Sequence, residues 1–344
     1  MSLNCPVPHE EDALLLLGHG AGGRLTAELL EDLVLPAVGR PGPGPLEDAA
    51  LVPSHPELVI STDSFVVSPL SFPGGDIGSL AVHGTVNDLA MRGAVPLALS
   101  LAVIAEEGLP LAELRAVLAS AGRSARAVPV PVVTGDTKVV GRGAADRLFL
   151  NTTGIGRRLA GLTPSADRAR PGDAILLSGP VGLHGTAVLS ARESLGFDAD
   201  FISDSRPLHR LVTALGPCGA NVHTLRDPTR GGVAAALNEI ARDAAISVEI
   251  EEVAVPVPDP VAAACDMLGL DPLEVANEGC FLAFVAPELT DDALAALRSL
   301  PEGGSADRIG SAGVGPAGRV TVRTLVGARR ILDMPLGEQL PRIC

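Results

Sequence analysis

Apolar positions fall into blocks of two periods along this chain. Ala13-Leu-Leu-Leu-Leu17 reads as a short buried strand, and Leu25, Leu29, Leu33 and Val34 recur at helical spacing, predicting a helix over 26–38. Between them lies the glycine-rich Gly18-His-Gly-Ala-Gly-Gly23. Gly39-Arg-Pro-Gly-Pro-Gly-Pro45 interrupts any regular element, because proline lacks a donor and glycine costs entropy, so a linker sets the N-terminal arm apart from the body. The body opens with a buried strand over 58–62 ending at Asp63, then a helix over 76–92, an apolar strand over 97–104 and a helix over 110–123. Strands over 128–134 and 147–156 complete a sheet with helices packed on it. After the turn Arg170-Pro-Gly-Asp173 the alternation resumes: a strand over 174–178, helices near 185–195, 207–215 and 231–243, and strands over 246–253, 280–285 and 319–326. Two α/β lobes of similar size follow from this. Residues 333–344 contain Pro335, Gly337 and Pro341, predict an extended tail, and end on Cys344.

Composition narrows the function. The chain has 344 residues, 47% hydrophobic and 19% charged, which is a globular composition with room for two domains. Its 41 acidic and 26 basic residues give a net charge of −15, the wrong sign for neutralising phosphates of DNA or RNA. With no Trp or Tyr and 7 Phe, stacking platforms for single strands are scarce too. The longest apolar run, Val95 to Ala105, is short of the ~20 residues that a bilayer span needs. The start has no basic region and carries Glu10, Glu11 and Asp12, unlike a signal peptide. Cys5, Cys218, Cys265, Cys280 and Cys344 form no CxxC pair, so neither a disulfide framework nor a zinc ribbon is indicated. A cytoplasmic protein is expected, with neither nucleic acid nor membrane as partner.

Candidate chemistry sits in a few polar motifs. Gly18-x-Gly20-x-x-Gly23 matches the dinucleotide fingerprint in letters, but the following helix runs into the proline linker instead of a second strand. What survives is a glycine-rich turn at a helix start, with backbone N–H groups available to phosphate. Asp63 ends a strand, Asn87-Asp88 interrupts a small and apolar stretch, and Asp136 lies in Thr134-Gly-Asp-Thr-Lys138 directly after a strand. Three such carboxylates suit Mg²⁺, which takes one or two carboxylates and completes its shell with substrate phosphates. Singly, each is better explained as a turn former or helix cap, and the case rests on the three together with Lys138 beside one of them. Lys138 is the only lysine in a chain that otherwise uses arginine, and a compact ammonium serves as a point charge on phosphate. Asp227-Pro-Thr-Arg-Gly-Gly232 precedes a helix, where a plain connection and a ligand loop look alike. Glu278, in Asn277-Glu-Gly-Cys280, is a candidate base. Cys344 has no local activating group, and its tail, at roughly 35–40 Å extended, is long enough to enter an active site and leave again.

These motifs, with His19-Gly-Ala-Gly-Gly23, Ser61-Thr-Asp-Ser-Phe65, Gly84-Thr-Val-Asn-Asp-Leu-Ala90 and the terminal Pro341-Arg-Ile-Cys344, run in order along essentially the whole chain. Together they resemble the HypE family of nickel–iron hydrogenase maturation proteins. The inner motifs are shared with the wider PurM-like superfamily; the tail is the specific part. The resemblance implies an α/β fold with mixed sheets: a glycine-rich arm and linker at 1–45, a PurM-like ATP-binding and dimerisation domain at 46–160, a second PurM-like domain at 161–330, and a flexible tail at 331–344. It also implies a homodimer in which the first domain forms a barrel-like sheet.

The activity implied is ATP-dependent dehydration. The carbamoyltransferase HypF loads a carbamoyl group onto Cys344, and ATP phosphorylates the carboxamide oxygen. Loss of the amide protons and phosphate leaves a thiocyanate, whose cyano group passes to iron held by a HypC–HypD complex. By the same resemblance Asp63, Asp88 and Asp136 hold Mg²⁺ on the phosphates, Lys138 stabilises charge in phosphoryl transfer, and Glu278 accepts a proton. Gly20, Gly22 and Gly23 close over the nucleotide, with Asn87, Thr137 and Asp227 also in the ATP site. Two other functions stay open: a nucleotide-binding scaffold that uses the tail as a docking peptide, and another PurM-like ATP-dependent kinase or synthetase.

Overall fold

The computed structural model describes residues 14–16, 19, 24–39, 52, 55–193, 201–335, 340 and 342–344. The arm supplies α1 (Arg24–Leu29) and α2 (Leu35–Val38), joined by a wide π turn over Leu30–Val34 into one helical run. Leu29, Leu33 and Ala37 are its buried stripe, at i, i+4 and i+8. Upstream, Leu15 is buried and exchanges backbone hydrogen bonds with Gly108 and Leu109. Gly20, Gly22, Gly23 and the proline linker lie outside the described residues.

The first half of the body runs β1 (Leu58–Phe65), the hairpin β2 (Ser71–Phe72) and β3 (Gly75–Asp76), then α3 (Ile77–Met91), β4 (Ala94–Glu106), α4 (Leu111–Ala127), β5 (Val132–Val140) and β6 (Leu148–Arg158). A capping box starts α3: Asp76 accepts the Ser79 N–H at 2.8 Å, and Ser79 Oγ accepts the Asp76 N–H at 3.0 Å. Nearly every residue of α3 is buried, because it lies between the first sheet and the second half of the chain.

The sheet order is β1-β6-β4-β5, with β4 and β5 parallel and the other pairs antiparallel. This corrects the expected barrel. The four strands form an open sheet with β1 and β5 as its edges, and none of the sheets formed by the described residues closes on itself. Four strands are about half the number that gives a small closed barrel with a filled interior. Two local expectations also change. The strand at 58–62 is not buried: β1 alternates, and Leu58 and Ile60 are 50% and 72% exposed on the face that α3 does not cover. The strand expected at 128–134 begins at Val132, beyond Pro129 and Pro131, so Thr134-Gly-Asp-Thr-Lys138 lies inside β5, not after it.

The second half contains β7 (Ala174–Leu177), α5 (Leu183–Glu193), α6 (His209–Ala214), β8 (Val222–Arg226), α7 (Gly232–Asp243), β9 (Ser247–Glu251) and α8 (Asp259–Leu268). It continues with β10 (Leu282–Val285), α9 (Thr290–Arg298), β11 (Asp307–Gly313), β12 (Val320–Arg323) and β13 (Arg329–Ile331). Their sheet has the order β13-β12-β9-β11-β7-β10-β8. Period-two alternation divides its core: Ile175, Leu177, Leu282 and Phe284 pack with Val233, Leu237 and Ile240 of α7. Ala174, Leu176, Ala283 and Val285 face Leu211 of α6 and Leu297 of α9. Among the described residues no helix is long and apolar enough to cross a membrane.

Helices α2 and α4 meet at a glycine. A Cβ on Gly122 would lie 1.9 Å from the Ala37 carbonyl oxygen, closer than any real contact. Gly122→Ala is therefore expected to destabilise the protein by about 1–3 kcal/mol through overpacking. Urea unfolding would register this as a lower midpoint at unchanged slope, whereas an unchanged midpoint would show that α2 moves aside without cost.

Candidate active site

Acidic side chains from both halves of the chain gather where α3 crosses β1. Gly84 permits this crossing, since a Cβ there would sit 2.9 Å from Phe65 Cζ. Asp63 lies on β1, and Asp88, one turn beyond Gly84, accepts the Ser61 hydroxyl at 2.6 Å. The loop between β8 and α7 adds Asp227, the loop before β10 adds Glu278, and the segment before α6 adds Asp204. Asp204 accepts the successive N–H groups of Glu278 and Gly279 at 3.2 and 2.9 Å. Only glycine fits after Glu278, because a Cβ on Gly279 would lie 1.8 Å from the Asp204 carbonyl oxygen.

These carboxyl groups resist ionisation together. Desolvation by the surrounding protein raises the pKa of Asp63 and of Asp88, and their mutual repulsion adds to the shift at Asp88. The same burial pushes Asp204 up to about 6 and, with repulsion from Asp88 and Asp63, Asp227 up to about 7. Glu278 is only 3% exposed; its pKa is raised well above the ordinary value, first by burial and then by Asp227, Asp204, Asp63 and Asp88. Arg226 and Arg230 act in the opposite direction on Asp88.

The tail reaches the same place. Arg230 Nη1 donates to Cys344 Sγ at 3.4 Å, and the field of Arg230 also lowers the pKa of Asp63 and Asp88. Val66, three residues beyond Asp63, donates its N–H to the main-chain oxygen of Cys344 at 3.1 Å. Cys344 is 7% exposed and belongs to the core cluster that includes Phe65 and Val67. The end of the tail is thus packed into the body at the acidic cluster, where a flexible segment was expected.

Of the residues singled out in the sequence, Asp63, Asp88, Asp227, Glu278 and Cys344 come together. Asn87 is turned toward the second half of the chain. Its Nδ2 donates to the carbonyls of Arg206 and Glu278 at 3.1 and 3.3 Å, and its Oδ1 accepts the Leu208 N–H at 2.8 Å, so its amide ties the two halves together. Asp136, Thr137 and Lys138 lie on β5, the far edge of the sheet from β1. Asp63 is in register with Thr152, Leu101 and Gly135, whereas Asp136 is in register with Ala102, Asn151 and Ser64. Adjacent rows face opposite sides of a sheet. Within one chain Asp136 therefore does not join Asp63 and Asp88. Lys138 instead pairs with Asp136 at 2.8 Å, both exposed, which holds the Asp136 carboxyl below its ordinary range.

Asp204 and the contact of Arg230 with the thiol went unnoticed in the sequence. Asp204 sits in Ser203-Asp-Ser-Arg206, with no glycine or apolar period to mark it. Arg230 stood inside a motif already singled out, and its positive charge in an acidic chain was an available signal.

Linkage gives the cluster a pH signature. A carboxyl whose folded pKa lies above its unfolded value stabilises the fold most below the ordinary carboxylate range, and that contribution is lost as pH rises through the folded pKa. For Asp227 the window runs from about 4 to about 7. Without metal or nucleotide, the protein is expected to melt at a lower temperature at pH 8 than at pH 5, and Asp227→Asn to narrow the difference. Melting curves at both pH values check this; an Asp227→Asn protein with the full difference would remove Asp227 from the effect.

Comparison with known proteins agrees with this arrangement. Residues 46–158 match the family described as AIR synthase related protein, N-terminal domain, and residues 170–323 its C-terminal domain counterpart. The carbamoyl dehydratase HypE of Rhizobium leguminosarum bv. viciae is 50% identical over 331 residues, covering 95% of this chain and 94% of that protein. A crystal structure of the hydrogenase maturation protein HypE in complex with ATP is 51% identical with a TM-score of 0.92, covering 96% of this chain and 100% of that one. A HypE–HypF complex structure matches at 43% identity and a TM-score of 0.80, covering 91% of this chain and 100% of that one. The chain belongs to the HypE family of AIR-synthase-related proteins.

Proposed function

We infer that this chain is an ATP-dependent carbamoyl dehydratase that converts an S-carboxamide on Cys344 into a thiocyanate, the source of the cyanide ligand of nickel–iron hydrogenase. The observation that carries this is the seating of Cys344 beside Arg230 at the acidic cluster. The oxygen of a carboxamide is a poor leaving group. Transfer of the γ-phosphoryl of ATP to its oxygen, with loss of one N–H proton, gives an imidate whose phosphate can leave. Loss of the second N–H proton then forms the C≡N bond and expels phosphate. Both proton losses need a base near the amide nitrogen, and Glu278 is suited to this because burial and the neighbouring carboxylates raise its pKa and so strengthen its carboxylate as a base.

Asp63 and Asp88 are the residues we assign to Mg²⁺. They offer oxygen donors only, as a hard cation prefers, and burial raises the pKa of both, with repulsion from Asp63 adding to the shift at Asp88. Among the described residues no three acidic, His or Cys side chains converge to hold a metal alone, so phosphate oxygens would complete the shell. Bound there, the cation would neutralise phosphate charge; Asp227 and Arg230 border the same space. Asn87 and Thr137 stay in the nucleotide assignment, with Gly20, Gly22 and Gly23 as its cover.

Lys138 and Asp136 cannot reach this cluster from their own chain through the sheet. We place them in the site of a second protomer. Support comes from the face of the first sheet that carries Lys138, where Leu58, Ile60 and Ile104 are 50%, 72% and 41% exposed in a single chain. The carbamoyltransferase HypF as donor and an iron-carrying HypC–HypD complex as acceptor complete the proposed partners, with residues 46–160 and 161–330 as the two domains.

Mass spectrometry of the C-terminal peptide tests the function. After co-production with the carbamoyltransferase, Cys344 is expected to carry one carbamoyl group and to lose one water only with Mg-ATP. Cys344→Ala should abolish both changes, and Lys138→Ala should stop the loss of water while leaving carbamoylation intact. Mixing the two inactive variants should restore part of the turnover through mixed dimers. An unmodified Cys344 with ATP still bound would favour the scaffold, and turnover by Lys138→Ala at the normal rate would remove Lys138 from the mechanism.

A further inference from the structure

The tail is held by a receptor whose two sides come from different halves of the chain. On one side the backbone just past β1 pairs with it antiparallel. Val66 N–H donates to the main-chain oxygen of Cys344 at 3.1 Å, Ser68 N–H to the Arg342 carbonyl at 3.3 Å, and Arg342 Nε donates back to the Val66 carbonyl at 3.0 Å. On the other side stands α5. His184 Nε2 lies 2.8 Å from the Ile343 carbonyl oxygen, and Arg192 Nη2 donates to the Arg342 carbonyl at 2.8 Å. Arg192 Nε also donates to the Ser68 carbonyl at 2.8 Å, bridging the two sides.

The spacing on α5 is that of a single helix face. His184, Val188 and Arg192 stand at i, i+4 and i+8, and Val188 is fully buried in the same core cluster as Ile343 and Cys344. Gly185 is next to this stripe and leaves room for the tail's Leu340, whose Cδ1 would lie 3.0 Å from a Cβ there.

His184 has one tautomer open to it. The Ile343 oxygen can only accept, so Nε2 carries the proton and Nδ1 accepts the Ser203 hydroxyl at 2.8 Å. Ser203 Oγ is oriented in turn by the Ser205 N–H at 3.1 Å. The ring is wholly buried and makes an edge-on contact with Phe72 at 5.3 Å between centroids. With the tail withdrawn, the Nε2–H would be a buried donor without this acceptor, which opposes withdrawal.

We propose that the His184–Val188–Arg192 face of α5 is the tail's receptor, and that His184 and Arg192 are positioning residues that read the carbonyls of Ile343 and Arg342 to hold Cys344 at the acidic cluster. This deepens the dehydratase reading and rests on it for its purpose, though the tail's position can be measured without any turnover. Iodoacetamide labelling of Cys344 in the full-length protein, followed by peptide mass spectrometry, gives that position. His184→Ala and Arg192→Gln are each expected to speed labelling about tenfold, the scale of one lost hydrogen bond. His184→Gln, whose amide can still donate, should bring the rate back to within a few-fold of the original. Single-turnover loss of water from preloaded carbamoyl-Cys344 should slow in parallel, with nucleotide affinity unchanged. Unchanged labelling in both His184→Ala and Arg192→Gln would overturn the receptor. Slower dehydration with unchanged labelling would overturn positioning in favour of a direct chemical role. If the dehydratase function itself were wrong, labelling would still rise in the variants while no loss of water occurred in any protein.

Discussion

Carboxyl groups crowded into a partly desolvated junction are the costly feature around which this molecule is arranged. Asp63, Asp88, Asp204, Asp227 and Glu278 each have a pKa raised by burial, and most of them repel one another. Such a cluster persists only if the surrounding chain prevents it from spreading apart. The restraints are close main-chain contacts and one side-chain amide. Gly84 lets α3 lie against β1, Gly279 lets the Glu278 loop lie against Asp204, and the Asn87 amide fastens α3 to both Arg206 and Glu278 through their carbonyls. Gly231 and Gly232, both at positive φ, bring the Asp227 loop into α7; a Cβ on Gly232 would meet the Leu273 carbonyl at 2.5 Å. Electrostatic repulsion is thus opposed by close packing of main chain, which yields little.

The same junction explains where the tail ends. A segment entering between the two halves must satisfy its own amides and carbonyls, and the chain does so by continuing the direction of β1 as a short paired stretch. Pairing fixes register, and register places Cys344 opposite Val66, close to Asp63. Arg230 then meets the sulfur from the second half while offsetting the negative field of Asp63 and Asp88. The thiol is therefore placed by sheet geometry and its surroundings by loop geometry, from sequence regions far apart.

Much of this was legible because it is written in local patterns. The apolar runs at β4, β7 and β10, the helix beginning near Asp76, and the glycine-containing motifs that carry Asp227 and Glu278 are read from residue type and spacing. Asp136 was misplaced because the apolar stretch before it was counted as strand although Pro129 and Pro131 delay pairing to Val132. Strand β8 escaped notice because Val222-His-Thr-Leu-Arg226 looks polar; His223 and Thr224 are buried all the same, the former against Asp173 at 2.9 Å. Which face of a sheet a residue occupies depends on strand order, a non-local property, so the separation of Lys138 from Asp63 could not be read from spacing. The closed barrel failed for a related reason: closure depends on how edges meet, and the edges β1 and β5 carry no motif that states it.

On the proposed function the tail is loaded, reacts and delivers its group, and such a tail cannot be bound tightly in any one place. Besides the contact of Arg230 with the Cys344 sulfur, the tail is docked by hydrogen bonds from Val66, Ser68, His184 and Arg192 to its main-chain oxygens and by one that Arg342 donates back. At about 1 kcal/mol net for each hydrogen bond, they contribute roughly 5 kcal/mol. Burying Ile343, 2% exposed when docked, adds about 2 kcal/mol. Against this stands the ordering of about four or five residues at about 1–2 kcal/mol each, close to the same total. The ion pair between Arg342 and Asp146 shifts the balance little, because the Asp146 side chain is half exposed. Docked and withdrawn tails therefore lie within a few kcal/mol of each other, so changes confined to the cysteine suffice to move the population. A bulky group on a sulfur that is almost buried changes packing there directly. The reaction state of Cys344 can thereby govern its own location, without a separate switch elsewhere in the fold.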